Sequence, residues 1–504
     1  MAETLTQHTP ERLAVPDTVE ELMKIWDDEP YARIGSNEPY KVGEDDGTKE
    51  ERERVKTAFI AGEIENPEVT YPHLDGEALQ AAHDRMVDLY ERAEQLPDSI
   101  DKDLARELMR KKILEVDRHI EIVCAWGTED PGERQEHLDK AAELQMTVFG
   151  SPEQDHFDSL LDETRTKAEA IVALGKDDEV QAIAAELLEL TGDRKEPEGF
   201  MKPGLTQHAR EVLKRDIQVR FGERLFLPPE SGGKMPHEEA VRHFQEMQDL
   251  TGMIGWHTRL TDGNAAETTR RDKSVDIGRG RAQFTGASLR HKELHEVRGH
   301  GLRGYNGDLL AEGTSQIAAL VRSSMAFSGM QHPGTRGEGL PMARYALPGS
   351  LDFEEGMLTA LEQIDSDSPA TPGRIYYLAA GLMLGMDRDG DKRDFRGAYE
   401  IMWRRSVIEA ATSGKKVDTE KSKSAAYQSM MRMTRGGALD TRDLAYYRGY
   451  VKASGYLNSL AELSDRDRSM EWGYMMCAQF DPTNPLHAKY IRRGYDLANV
   501  YKQL

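Results

Sequence analysis

The chain has 504 residues, enough for two to four structural units and a sizeable buried core. Acidic residues outnumber basic ones by 90 to 66, and the resulting formal charge of −24 repels nucleic-acid phosphates and excludes a general nucleic-acid binder. With 38% hydrophobic and 31% charged residues the composition is that of a folded, soluble, mostly helical protein, and two cysteines far apart, Cys124 and Cys477, exclude a disulfide framework or a cysteine-rich metal site.

The opening MAETLTQHTPERLAVPDTVEEL has early acids and no apolar core, so it reads as neither a signal nor a transit peptide. No stretch approaches the roughly 18 apolar residues of a membrane span, and the expected compartment is the cytoplasm. Residues 1–75 read as a polar, partly ordered lead-in with one amphipathic helix near Val19 to Trp26, interrupted by the charge run EDDGTKEERER. From 76 to 195, apolar residues recur at helical spacing (Leu79, Met86, Leu89; Leu104, Leu108, Ile113, Val116, Ile120), which predicts an N-terminal helical domain. The glycine- and proline-punctuated stretch TGDRKEPEGFMKPG, 191–204, then reads as a linker into a second unit covering 200–504. Between Phe221 and Phe284, short β-prone runs (RLFLPPESGG, MIGWHTRL, KSVDIGRGRAQF) predict a small sheet, and after Ser288 helical spacing returns almost to the end. The turn DRDGDKRD, 387–394, fails the EF-hand pattern because glycine stands at its fourth position rather than its sixth.

Chemistry concentrates in HKELHEVRGH, 291–300, which places three histidines and two glutamates in ten positions. A catalytic metal site needs neutral imidazoles and a carboxylate beside the ion, and the adjacent His295 and Glu296 supply both. Two pairings of ligands are open. His291 and His295 are four apart and face the same way on an α-helix. His295 and His300 are five apart, so at 100° per residue they diverge by about 140° and can share an ion only if the turn widens into a π-type bulge or the helix breaks, which Gly299 permits.

LRHKELHEVRGHGLRGYNGDL, followed after an interval by LPGSLDFEEGMLTALE at 347–362, resembles the tyrosine-carboxypeptidase-like, QEGLA-motif zinc metallopeptidases, in which a His-Glu-x-x-x-His helix precedes a Glu-Glu-Gly helix. The resemblance covers about 205–480, including the tyrosine-bearing TRDLAYYRGYVKASGYL, 441–457. It implies a predominantly α fold in which a helical metallopeptidase domain has a small β-sheet beside the active-site helix. By the same carry-over His295 and His300 are zinc ligands, Glu354 is the third ligand and Glu296 is the general base, and Glu355 falls to a supporting role beside a ligand histidine. Glu312, in LLAEGTSQ, competes with Glu354 for the third position. The interval before Glu354 is longer than in the family and contains SSMAFSGMQHPGTRGEGL, 323–340, which reads as a loop near the cleft. The family's Gly-Thr between the histidines is Arg-Gly here, and Leu-Ala after Glu-Gly is Met-Leu.

The implied activity is zinc-dependent hydrolysis of peptide bonds in a peptide or protein substrate, in carboxypeptidase fashion; the alternative is a non-catalytic zinc-binding or regulatory interaction protein of the same fold. Tyr447 ranks first, ahead of Tyr446 and His332, as a donor to the oxyanion, and Arg279, Arg281 and Arg448 are the cations that could hold a substrate carboxylate.

Overall fold

The computed structural model describes residues 18–29, 46–67, 75–175, 177–192, 196–221, 234–263, 266–269, 272–311, 342, 347, 349–362, 364 and 373–494. The fold is predominantly helical with one small mixed sheet, as the sequence predicts. Among the described residues no helix is long and apolar enough to cross a membrane.

The N-terminal elements are α1 (Val19–Asp28), α2 (Asp46–Ile60), α3 (Gly76–Gln95), α4 (Ile100–Gly127), α5 (Pro131–Phe149), α6 (Gln154–Leu174) and α7 (Asp178–Thr191). Their starts follow capping chemistry: Thr18, Asp75, Ser99, Asp130 and Asp177 each accept from backbone N–H groups in the first turn. Helix α2 was not expected from the charge run. Its glutamates, lysine and arginines are good helix formers, and one apolar residue, Phe59, anchors it edge-on against Phe395 and Tyr399 beneath the Arg396 guanidinium.

Helices α8 (Gln207–Phe221) and α9 (His237–Leu250) precede the sheet. Its strands are β1 (His257–Thr261), β2 (Ala266–Thr269) and β3 (Ser274–Gly278), in the order β1-β3-β2, with β3 parallel to β1 and antiparallel to β2. The central strand β3 is buried throughout, while β1 is not. Of the runs expected to be β-prone, RLFLPPESGG lies outside the described residues.

Helix α10 (Gly286–Lys292) leads directly into a π-helix, Glu293–Gly301, and then into α11 (Leu302–Ala311). The rest is helical: α12 (Ser350–Glu362), α13 (Arg374–Met383), α14 (Phe395–Thr412), α15 (Thr419–Met433), α16 (Ala445–Ala461), α17 (Asp465–Cys477) and α18 (Pro485–Gly494). One apolar cluster joins Phe157, Leu160 and Val180 of α6 and α7 to Tyr377, Trp403 and Met430 of α13, α14 and α15; another joins Trp26, Leu79 and Leu104 to Leu310, Phe480 and Tyr490. The stretch at 191–204 therefore connects parts of shared cores, and the helices on either side of it bury their apolar faces together.

Helices α12 and α16 are in backbone contact. A Cβ on Gly356 would overlap the Gly449 carbonyl, and one on Gly449 would overlap the Asp352 carbonyl. The pair runs antiparallel, since Phe353 meets Tyr456 edge-on while Gly356 meets Gly449. Because the obstacle on each side is backbone, neither glycine tolerates a methyl group without separating the helices. Gly449→Ala is expected to lower stability by about 1–3 kcal/mol or more, read as a lower urea midpoint at unchanged slope.

Candidate metal centre

The π-helix supplies the widened turn that the histidine spacing demands. On i→i+5 hydrogen bonds, five residues make little more than one turn, so side chains at positions 295 and 300 share a face. The rings of His295 and His300 lie 4.9 Å apart between centroids, at 77°. Gly299 serves this geometry by close approach: a Cβ there would fall 2.6 Å from Leu358 Cδ2, so its bare Cα lets α12 lie against the turn. Gly301 does the same for Met253, whose Cε would sit 2.9 Å from an added Cβ.

Helix α12 brings three carboxylates to the two imidazoles. Glu355 faces both Nε2 atoms, Oε2 at 3.5 Å from His295 and Oε1 at 3.3 Å from His300. The Nδ1 atoms face different partners: Glu362 Oε1 at 3.1 Å from His295, and Glu354 Oε1 at 2.7 Å from His300. Each histidine thus has its inner nitrogen oriented by one carboxylate while its outer nitrogen points at Glu355, the arrangement in which a second partner fixes tautomer and ring for metal ligation. His295, His300 and Glu355 form a group whose ligand atoms lie within 4.8 Å of one another and which could hold a metal ion.

This placement reverses the roles expected for the two adjacent glutamates. Glu354 is fully buried on the far side of His300, where Arg303 Nη1 lies 2.9 Å from its Oε2 and Gln479 donates to its Oε1 at 3.4 Å. Adjacent residues on a helix point about 100° apart, so only one of the pair can face the gap between the imidazoles. The signal that would have chosen Glu355 is Glu362, seven residues on and therefore on the same face. Glu312 lies outside the described residues, as do the 323–340 insertion and His332, and nothing is described of the His291 side chain.

Electrostatics at the site are set by burial working against charge. Burial alone would push the His300 imidazole down, but the charge and hydrogen bond of Glu354 and the bond from Glu355 outweigh it and hold the group well above its ordinary value. Burial would raise Glu354, yet the charges of Arg303 and His300 bring its carboxyl down to about 2. Glu355 is likewise lowered against the effect of burial, by its bond to His300 and the charges of both histidines. The carboxylates around His300 thus favour its charged form, and a divalent ion bound at the same nitrogen would compete with that proton.

Glu296 lies outside the ligand group. Its Oε1 accepts from Lys292 Nζ at 3.0 Å, and its Oε2 and backbone carbonyl accept from Thr268 Oγ1 of β2, at 3.0 and 2.8 Å. Tyr447 is 1% exposed, accepts or donates at 3.2 Å to His156 and packs against Tyr377 at 4.5 Å, so it is a core residue away from the expected role. Tyr446 instead lies toward Glu355, whose charge joins burial in raising the phenol pKa. Among the cations, Arg279 pairs with exposed Asp262 and Arg448 donates to the Phe149 carbonyl. Arg281 stacks 3.9 Å over Phe284 within reach of the charge of Glu296. Lys292, Thr268, Glu362 and Arg432 were not found from sequence; of these only Glu362 and Lys292, at i+7 and i−4 from a recognised residue, left a spacing signal.

Comparison with known proteins finds no matching family model, no matching curated protein and no matching solved structure.

Glu355→Gln and Glu354→Gln should separate the two roles. Glu355→Gln keeps the shape of a largely buried side chain while removing the charge that faces both imidazoles, and should abolish tight binding in a titration with a first-row divalent metal while leaving the Glu354–Arg303 pair in place. Glu354→Gln should weaken metal binding only about 10–100-fold, but leave Arg303 buried without its counter-charge, with about 3–5 kcal/mol lost in denaturant unfolding.

Proposed function

We propose that this chain is a zinc-dependent peptidase in which His295, His300 and Glu355 hold the metal and Glu296 is the general base. The observation that carries the reading is the convergence of both Nε2 atoms on one carboxylate while both Nδ1 atoms are backed by others. The donor set fits zinc: two imidazoles and one carboxylate leave a fourth position open, and tetrahedral bonds of about 2.0–2.1 Å place neighbouring donors roughly 3.4 Å apart. Glu355 places one oxygen 3.3 Å from His300 Nε2 and its other oxygen 3.5 Å from His295 Nε2, separations of that size. The His-Glu-x-x-x-His string and the later Glu-Glu-Gly, read as a resemblance to the tyrosine-carboxypeptidase-like metallopeptidases, point the same way.

When bound, zinc supplies a Lewis acid that acidifies a water molecule and polarises a carbonyl. Glu296 adjoins a ligand in the chain yet is no ligand itself, the position of a base. It takes a proton from the water whose oxygen bonds to the scissile carbonyl carbon, and delivers it to the nitrogen that leaves as the C–N bond breaks, so that one water yields one new carboxyl and one new amine. Thr268 and Lys292 hold the carboxylate in one orientation through hydrogen bonds to its two oxygens. Lys292 and Arg281, both beside Glu296, give a substrate carboxylate a cationic neighbourhood, which supports action at a peptide C-terminus.

Purified wild type is expected to carry close to one zinc per chain and to trim peptides with free C-termini. Glu296→Gln should keep the zinc and lose about 10²–10⁴-fold in kcat, measured by mass spectrometry of a peptide pool. Zinc bound by wild type with no peptide cleaved would leave a metal-binding protein and overturn the peptidase reading.

A further inference from the structure

Resting on the metal centre of the proposed function, we propose that Thr268 is its positioning residue: by donating to the Glu296 carbonyl from the sheet, its hydroxyl holds open the π-turn that brings His295 and His300 onto one ion. Thr268 lies on β2, where it pairs with Val275 of β3 as Ala266 pairs with Ile277. Paired residues of neighbouring strands, and residues two apart on one strand, share a face of the sheet. Ala266, Val275 and Ile277 belong to the apolar cluster that takes in Val297 of the π-helix and Leu302 of α11, so this is the face laid against that helix. On it Thr268 stands where valine would fill the same space. Its Oγ1 reaches the Glu296 carbonyl at 2.8 Å and the Glu296 carboxylate at 3.0 Å.

The carbonyl is the decisive acceptor. Glu296 lies between the two histidines, and the direction of its C=O is set by the winding that separates them. In an α-helix it would accept from the N–H of residue 300, whereas in the wide turn it is aimed one residue further on. The structure has the second arrangement, since a Cβ on Gly301 would lie 3.1 Å from the Glu296 oxygen. A carbonyl drawn out of the α-helical ladder and bonded from outside is one means by which an intruding side chain opens a helix. Without the hydroxyl, β2 no longer opposes α-winding, under which the two imidazoles diverge by about 140° and only one of them can face Glu355.

The carboxylate of Glu296 has a second anchor, because Lys292 Nζ donates to its Oε1 at 3.0 Å. Loss of the hydroxyl therefore falls first on the turn and on the metal. A threonine that merely filled the sheet face would be replaced by valine without changing metal affinity, and its hydroxyl would be of no consequence in the serine variant.

The test uses the full chain, stripped of metal with a chelator, as wild type, Thr268→Val and Thr268→Ser. Three quantities are measured: the thermal midpoint of the metal-free protein, the calorimetric affinity for zinc, and the visible spectrum of the cobalt(II)-loaded protein, which reports the number and geometry of the ligands. Thr268→Val is expected to keep its metal-free midpoint, to bind zinc about 10–100-fold more weakly and to change the cobalt spectrum; Thr268→Ser, which keeps the hydroxyl, should recover most of the affinity and the wild-type spectrum. Wild-type zinc affinity in Thr268→Val would overturn the proposal. So would equal losses in both variants, which would assign the effect to packing, and so would a loss that tracks a fallen metal-free midpoint across the two, which would make Thr268 a support of the fold. A wild type that binds zinc and cleaves no peptide, with the expected order of affinities among the variants, would overturn the peptidase reading and uphold the role of Thr268. A wild type that binds no zinc would overturn both.

Discussion

Two imidazoles five residues apart meet over one point only where the helix that carries them is wound on i→i+5 hydrogen bonds, and everything at the centre depends on keeping it so. A π-turn is rare because the α-helical ladder competes with it at every residue. Here that ladder is opposed from several sides. Thr268 donates to the Glu296 carbonyl, a side-chain intrusion of the kind that opens a helical ladder. Gly299 and Gly301 let Leu358 and Met253 pack against the turn where side chains would hold them off. Arg298, almost wholly buried, extends to Met247 on α9. Sheet, α9 and α12 thus grip the turn on different faces, and a return to α-helical winding would have to dislodge all three.

The second requirement is electrostatic. Glu354, Glu355 and Glu362 all reach the two imidazoles, and like charges so placed resist ionisation unless something positive lies among them. Glu354 is matched by a cation of the chain, Arg303. Glu355 and Glu362 face imidazoles, and an ion held between the rings would balance their charge. Glu354 and Glu355 push the His300 pKa up against the effect of burial. His295, His300 and Glu355 stand close enough together that a metal ion could take that place.

How much of this could be read in the sequence follows from the range of the interactions. The histidine string, the glutamate beside it and the demand for a widened or broken turn between His295 and His300 are local, and the structure meets that demand by π-winding. The small sheet beside that helix was legible from alternating β-prone runs, and α3 and α4 from apolar spacing at Leu79, Met86 and Leu104. The choice between Glu354 and Glu355 was not legible from a short motif, since neighbours on a helix differ only in which way they face, and the facing was decided by Gly299 against Leu358 and Gly356 against Gly449. Helix α2 escaped because its buried anchor, Phe59, is stabilised by residues more than three hundred positions away. That Tyr447 turns into the core was not legible for the same reason: adjacent tyrosines are equivalent until a tertiary contact fixes the helix rotation.

The placement of Arg303 shows how the C-terminal part of the chain reaches the candidate centre through Glu354. Arg303 is fully buried, and besides Glu354 it donates to the carbonyls of Ala478 and Phe480, at 3.1 and 2.9 Å. Asn306, one turn on, donates to the Met476 carbonyl at 2.6 Å, and Gln479 reaches back to Glu354. A buried guanidinium is tolerated only when its donors are occupied, and these backbone carbonyls do what water would do outside. The segment after α17 therefore acts as the solvation shell of the arginine that keeps Glu354 ionised. Glu354 in turn orients His300, so the order of the metal centre reaches through one carboxylate and one arginine to the end of α17, some 180 residues downstream of the histidines. Local sequence supplies the ligands, and this long-range buried pair decides that one of them is held in a single orientation.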